Sequence, residues 1–250
     1  MNLYNKKYFS QVRGIISPSE QNWKFKKISP ALAKFLEKTG LYKIRLIEIG
    51  AGSGFFIKNL KKNFKKSEFT VTALEINKYS TKYLDKIIPK KQIVIADISA
   101  KTKFKNKNFD LCIGIDILEH IENLEGAIKE IKRISKYAIF KIPIEKSLGI
   151  RFINFVSAKK YRKNIIATVG HIHWFSNNEI ISFMKNNFSR VEYLEYTNIG
   201  LYQYQKNLRA KKTRKILLII WYFLSSIIFR ISKHANAVLF GDHLIVLVKC

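Results

Sequence analysis

Three glycines and three carboxylates carry the chemistry in the first half of this chain. The apolar run KIRLIEIG (Lys43–Gly50) leads into Glu48-Ile-Gly50-Ala51-Gly52-Ser-Gly54-Phe-Phe. At a strand-to-helix junction the first glycine allows a tight turn. The second lets a ligand lie against bare backbone, and the last lets a helix start close by. That helix points its N-terminal N–H groups at the ligand. Glu75 closes the next apolar run, 21 residues beyond Gly54. A carboxylate there accepts hydrogen bonds from both ribose hydroxyls and disfavours a 2′-phosphate. Asp97 ends a third run, IVIADIS, within reach of an adenine amino group. Dinucleotide sites favour G-x-G-x-x-G, whereas this loop runs G-x-G-x-G into Phe55 and Phe56, so a nicotinamide cofactor is disfavoured.

The second half supplies imidazoles. His120 follows a fourth apolar run, and His171 and His173 lie in GHIHWFS (Gly170–Ser176). An imidazole is the natural general base near neutral pH. His120 reads equally as a histidine that structures its loop by bonding backbone. Alternation places His171 and His173 on one face if their stretch is extended. No tight ligand spacing joins them to a carboxylate, so no metal is expected.

Strand-length apolar runs position these groups: KIRLIEIG, FTVTALE (Phe69–Glu75), QIVIAD (Gln92–Asp97), FDLCIGI (Phe109–Ile115) and YAIFKIP (Tyr137–Pro143). Between them FIKNLKKNFKK, NKYSTKYLDKII and NLEGAIKEIKRISK place apolar residues at helical spacing. Such alternation predicts an α/β fold, a parallel sheet covered on both faces. RVEYLEYT (Arg190–Thr197) and HLIVLVKC (His243–Cys250) would complete the sheet, the end of it antiparallel. Ligands of open α/β sheets bind at the carboxyl edge of the strands, where Glu48, Glu75 and Asp97 all fall. The 250 residues form one domain, with 1–40 a helical cap over the cleft, 145–170 an acceptor-side insertion and 203–235 a basic–apolar insertion before the last strand.

From Leu41 to Ile144 the sequence resembles the class I S-adenosylmethionine (SAM)-dependent methyltransferases. EIGAGSG looks like that family's first motif, LEIN its second-strand acid motif and ADIS its third. Phe109-Asp110 followed by DILEHI (Asp116–Ile121), and later GHIHWFS, resemble the branch that methylates small molecules, quinones and lipids. The resemblance implies a Rossmann-like, seven-stranded, mostly parallel sheet with an antiparallel strand at the end. It implies SAM as cofactor, held by Glu48 at the methionine amino group, Glu75 at the ribose and Asp97 near adenine. Gly50, Ala51, Gly52, Gly54, Ile76, Ile98 and Asp116 complete that set. The reaction it implies is methyl transfer to a small, glycan or lipid-linked acceptor, at oxygen, with His120 or His171 as base. An RNA methyltransferase is the alternative that charge favours, but Ile115-Asp116-Ile117-Leu118 is not the Asn/Asp-Pro-Pro-aromatic motif that cradles a base amine. A non-catalytic SAM-binding, membrane-associated interaction protein is the other alternative.

Lys and Arg number 46 against 18 Asp and Glu, a formal charge of +28. This excess suits general solubility or an anionic partner. Arg151, Lys159, Lys160, Arg162 and Lys163 would meet an acidic or phosphorylated acceptor. Lys206–Lys215 holds six cations and precedes ILLIIWYFLSSIIF (Ile216–Phe229). Fourteen residues make a helix of about 21 Å, short of the roughly 30 Å of a bilayer's hydrocarbon. It reads either as a buried or interface helix or as an interfacial anchor drawn to an anionic membrane surface, spanning 206–233. Two cysteines form no disulfide framework, and MNLYNKKYFSQVRG has no signal-like apolar core. The expected location is cytoplasmic, peripheral on the membrane face; nothing in the sequence sets the oligomeric state.

Overall fold

A computed structural model describes residues 18–209 and 216–250. Helix α1 (Pro18–Thr39) precedes strand β1 (Lys43–Ile49), then come α2 (Phe55–Asn63), β2 (Glu68–Glu75), the short α3 (Thr81–Leu84) and β3 (Ile93–Ile95). They are followed by β4 (Phe109–Ile115), α4 (Leu124–Ile134), β5 (Ser135–Ile144), α5 (Leu148–Val156), α6 (Lys160–Thr168) and α7 (Asn177–Asn187). The chain ends with β6 (Arg190–Tyr196), α8 (Ile199–Arg209), α9 (Ile216–Ile231), α10 (Lys233–Leu239) and β7 (Asp242–Lys249).

The seven strands form one sheet in the order β3-β2-β1-β4-β5-β7-β6. β1 to β5 are mutually parallel, and β7 runs antiparallel between β5 and β6. Order reverses at β1, with β2 on one side and β4 on the other, which opens a crevice at the carboxyl edge. Alternate residues of the inner strands feed two cores. Ala138, Phe140, Ile142, Leu244, Val246 and Val248 pack with Ile128 and Ile131 of α4 and Met184 of α7. Ile139, Ile245 and Leu247 pack on the other face with Phe25, Ile28, Leu32 and Phe35 of α1 and Ile57 and Leu60 of α2.

Two boundaries differ from the sequence expectations. The stretch NKYSTKYLDKII gives only a 3-10 turn (Lys78–Ser80) and the four-residue α3, because Asn77 caps Tyr79 N through its side chain and sets up a tighter turn. β3 keeps three residues at the sheet edge, where pairing comes from β2 alone. The expected N-terminal cap is described from Pro18 only, residues 1–17 lying outside the described residues. Over the described part α1 is a core helix: Ile28, Ala31, Leu32 and Phe35 are fully buried against the sheet.

Candidate active site

The β1–α2 junction is a run of left-handed turns. Gly50, Gly52 and Gly54 have φ of 70°, 52° and 73°, a region that side chains with a Cβ rarely enter. Gly50 is also hemmed in, since a Cβ there would lie 2.8 Å from Ile117 Cδ1. Gly52 is open, and its Cβ would meet nothing nearer than the Gly50 carbonyl at 3.9 Å. The loop is thus packed from below and free above the middle glycine, as a ligand lying on backbone requires. No side chain caps α2 at Gly54, so its first N–H groups keep no capping carboxylate or hydroxyl.

Glu75 ties this loop to the second strand: its carboxylate accepts from Gly52 N at 2.8 Å and Asn77 N at 3.1 Å. Burial raises its pKa against the pull of those bonds. Glu48 lies beneath, 4% exposed, with Oε2 accepting no hydrogen bond. Burial, and then the charge of Glu75, push its pKa well up. A buried carboxylate with an unsatisfied oxygen beside a bare-backbone loop fits a cationic ammonium group. The amino end of SAM carries such a group, and Glu75 is the residue expected to hold its ribose. Asp97 accepts from Ser99 N and Oγ at 2.8 and 2.7 Å, which shapes the β3 loop at the adenine end. Ile76 is 43% exposed beyond Glu75, an apolar side chain that a purine can cover. The side chains of Ala51 and Ile98 are buried in the two cores, so only their backbone can face a ligand.

Asp116 stands apart from the rest of the expected cofactor set. It sits at φ 51° just past β4, and its carboxylate is shared by Lys141 of β5 and Lys24 of α1, the latter at 2.9 Å. Burial works to raise its pKa, but the two ammonium groups hold it well below the carboxylate range. Its charge is therefore spent within the protein. Sequence reasoning missed both lysines: Lys141 lies in an apolar strand and Lys24 in a helix more than ninety residues away. The alternating polar position in YAIFKIP was the one available signal.

Next to Asp116 the structure gathers the two candidate bases. His120 and His171 meet edge to face, ring centroids 4.8 Å apart. His120 Nδ1 lies 3.0 Å from the Gly170 carbonyl. Burial, and then the neighbouring His171, lower its pKa to about 4, so it is neutral at pH 7. His171 Nδ1 lies 2.8 Å from Glu145 Oε1 at the end of β5. Glu119 completes the cluster, 0% exposed, its pKa pushed well up by burial and then by Asp116. His173 goes elsewhere: its Nε2 lies 2.8 Å from the Ile121 carbonyl and its ring stacks on Phe175. Ile172 N and His173 N both donate to the Glu119 carbonyl, which pins this irregular segment to the β4 loop.

The cations expected to meet an acidic acceptor divide. Lys159 and Lys160 are exposed, while Arg162 stacks 4.4 Å over Trp174 and donates to the Ile172 carbonyl at 2.7 Å. Arg162 thus holds the histidine segment in place.

Residues 47–137 match the family model described as methyltransferase domain. No curated protein matches the chain in sequence. Among solved structures, phosphoethanolamine N-methyltransferase 2 of Haemonchus contortus, in complex with SAM, aligns with a TM-score of 0.56 at 12% identity, over 99% of this chain and 59% of that one. Geranyl diphosphate C-methyltransferase of Streptomyces coelicolor A3(2), with Mg2+, geranyl diphosphate and S-adenosylhomocysteine, aligns with a TM-score of 0.55 at 13% identity, over 88% and 79%. The cyclase SpnF aligns with a TM-score of 0.55 at 11% identity, over 86% and 77%. At these identities the likeness is one of fold. Residues 47–137 thus carry a methyltransferase-domain match, for which SAM is the methyl donor, on a fold shared with these structures.

Proposed function

We propose that this methyltransferase acts at oxygen, on a hydroxyl of a small, glycan or lipid-linked acceptor. The observation that carries the reading is the Glu145–His171 pair, beside His120 and one loop away from the glycine turn. Ile117 packs against Gly50 and stands three residues before His120, so the imidazoles are tethered directly to the cofactor loop. A hydroxyl is a weak nucleophile that gains from proton removal, and an imidazole oriented by a carboxylate is suited to that. His171 takes the proton and Glu145 stabilises the resulting imidazolium. SAM, when bound, supplies a methyl group on a sulfonium, already activated for displacement.

Incubating the protein with methyl-labelled SAM and a panel of hydroxyl, amine and activated-carbon acceptors tests this. O-methylated product is expected, with His171→Ala lowering turnover about 100-fold, in the range of a lost general base. Product formed only on nitrogen or carbon overturns the reading.

Peripheral membrane attachment is proposed alongside it, supported by the apolar surface around α9. One face of α9 packs on its neighbours, with Ser225 bonded to Asn236 and Trp221 against Phe240. The other leaves Ile220, Phe223, Leu224, Ile227 and Ile231 exposed, and Phe152 and Phe155 of nearby α5 are 66% and 80% exposed. Sixteen residues give about 24 Å, and no helix among the described residues is long and apolar enough to cross a membrane. Of the basic run before α9, residues 210–215 lie outside the described residues. Sedimentation with phosphatidylglycerol-containing vesicles is expected for the wild type and lost on Phe152→Ser/Phe155→Ser. Wild type that stays in the supernatant at low salt overturns the attachment.

A further inference from the structure

Glu119, His120 and His171 each bring one ligand atom within 4.8 Å of the others. Glu119 is the unusual member. It is fully buried, and neither carboxylate oxygen accepts a hydrogen bond among the described residues. An ionised carboxylate removed from water costs several kcal/mol unless a countercharge satisfies it. The lysines nearby do not provide one. Lys141 and Lys24 are bonded to Asp116, and Lys24 also faces Glu20 at 3.7 Å. Neither ammonium bonds Glu119: both are committed to Asp116, and Glu20 is also paired with Lys206 at 3.3 Å.

The histidines are held in a way that suits a cation. His120 Nδ1 lies against the Gly170 carbonyl at 3.0 Å and His171 Nδ1 against Glu145 at 2.8 Å. Such outer acceptors take the Nδ1–H and fix the tautomer, which gives Nε2 the lone pair. His171 Nε2 stands 3.9 Å from Glu119 Oε1. The two rings lie at 80° to one another, so their nitrogens can converge on a point without stacking.

We infer that Glu119, His120 and His171 form a binding site for one divalent transition-metal ion, with Glu145 and Gly170 as the outer shell that orients its imidazoles. Two imidazoles and one carboxylate suit Zn2+, Co2+, Mn2+ or Fe2+ better than Mg2+ or Ca2+, which prefer oxygen donors. Ligand bonds of about 2.0–2.2 Å put ligand atoms near 3.4 Å apart, so binding draws this cluster in by about 1 Å. Three protein ligands leave coordination positions for an exogenous group. The role of the site rests on the reading of this cleft as the acceptor side. A hydroxyl coordinated there has its pKa lowered, so its O–H bond breaks with the proton passing to solvent and the electron pair staying on oxygen. His171 is then a ligand and not the proton acceptor.

The test uses the full chain, stripped with a chelator and titrated near neutral pH with Zn2+ by calorimetry and with Co2+ by visible absorption. S-adenosylhomocysteine is titrated in parallel. One equivalent of metal is expected with a micromolar Kd. Glu119→Gln and His171→Ala should each weaken it more than about 100-fold, and the outer-shell variant Glu145→Gln by about 10-fold, with S-adenosylhomocysteine affinity unchanged. If either ligand variant fails to fold, Glu145→Gln still reads the site. Protein that binds S-adenosylhomocysteine but no metal, or binds metal indifferently to these changes, overturns the inference and leaves the methyltransferase reading intact. Metal binding that depends on Glu119, with oxygen acceptors never methylated, keeps the site and removes its assigned role.

Discussion

The two halves of the carboxyl edge handle buried carboxylates in opposite ways. Under the glycine loop, Glu48 and Glu75 are buried with no lysine or arginine bonded to them among the described residues, and burial raises both pKa values. At the ends of β4 and β5, Asp116 is less buried, its side chain 20% exposed, and sits between Lys24 and Lys141, which hold its pKa well below the usual range. A carboxylate left without a cation is a site for one; a carboxylate already paired is part of the scaffold. By that criterion Glu48 and Glu119 are the carboxylates proposed to meet ligands, whereas Asp116 ties β4 to α1 and β5 through Lys24 and Lys141.

Breaking the paired half should cost most. Asp116→Asn leaves the buried Lys141 ammonium facing a neutral partner, while Lys24 keeps Glu20, and a loss of about 3 kcal/mol is expected in urea unfolding at pH 7. A loss below about 1 kcal/mol would mean that the lysines escape to water and that the pair is not a scaffold element. On the cofactor side the expected effect is on binding. Glu75→Ala removes the bonds from Gly52 and Asn77 and should weaken S-adenosylhomocysteine about 100-fold, equivalent to about 2.7 kcal/mol, in calorimetric titration. Retained affinity would remove Glu75 from the site.

Gly50→Ala tests the packed floor of the loop against its open top. At φ 70° with Ile117 in the way, a loss of about 2 kcal/mol in stability is expected. Gly52→Ala, strained but uncrowded, should cost less stability and more cofactor affinity. Equal effects of the two on both readouts would erase the distinction.

The smallest expected effect is on pH dependence. A carboxyl whose folded pKa is raised contributes stability below its unfolded value, near 4.5 for glutamate, and loses it as pH climbs through the folded value. Asp116 does the reverse, losing its contribution as pH falls below the ordinary aspartate value of 3.8. Ligand-free protein should therefore weaken as pH rises above about 5, by about 1.4 kcal/mol per pH unit at most for each such group. Glu48→Gln should flatten that slope when unfolding is followed from pH 5 to about pH 8. An unchanged slope would place the titration elsewhere.

Periodicity and local chemistry made the cofactor half legible. Gly50, Gly52 and Gly54 stand immediately after β1 because only glycine tolerates those turns, and Glu75 and Asp97 end strands that run of Val, Ile and Leu already marks. The parallel sheet covered on both faces follows from the same continuous apolar runs separated by helices, whereas the antiparallel last strand came with the family resemblance and the strand order with the structure. What only the tertiary structure decided is which side chains meet across long sequence distances. Asp116 reads as one more acid at a strand end until Lys24 and Lys141 come to it from another helix and another strand. Glu119 lies inside a motif that drew attention to its neighbour, and becomes a candidate ligand only because the segment 170–173 folds back and brings His171 beside His120. Short-range turn geometry is written in adjacent residues, whereas the balance between a buried charge and its partner is set by contacts 25 to 92 residues apart, which no local spacing records.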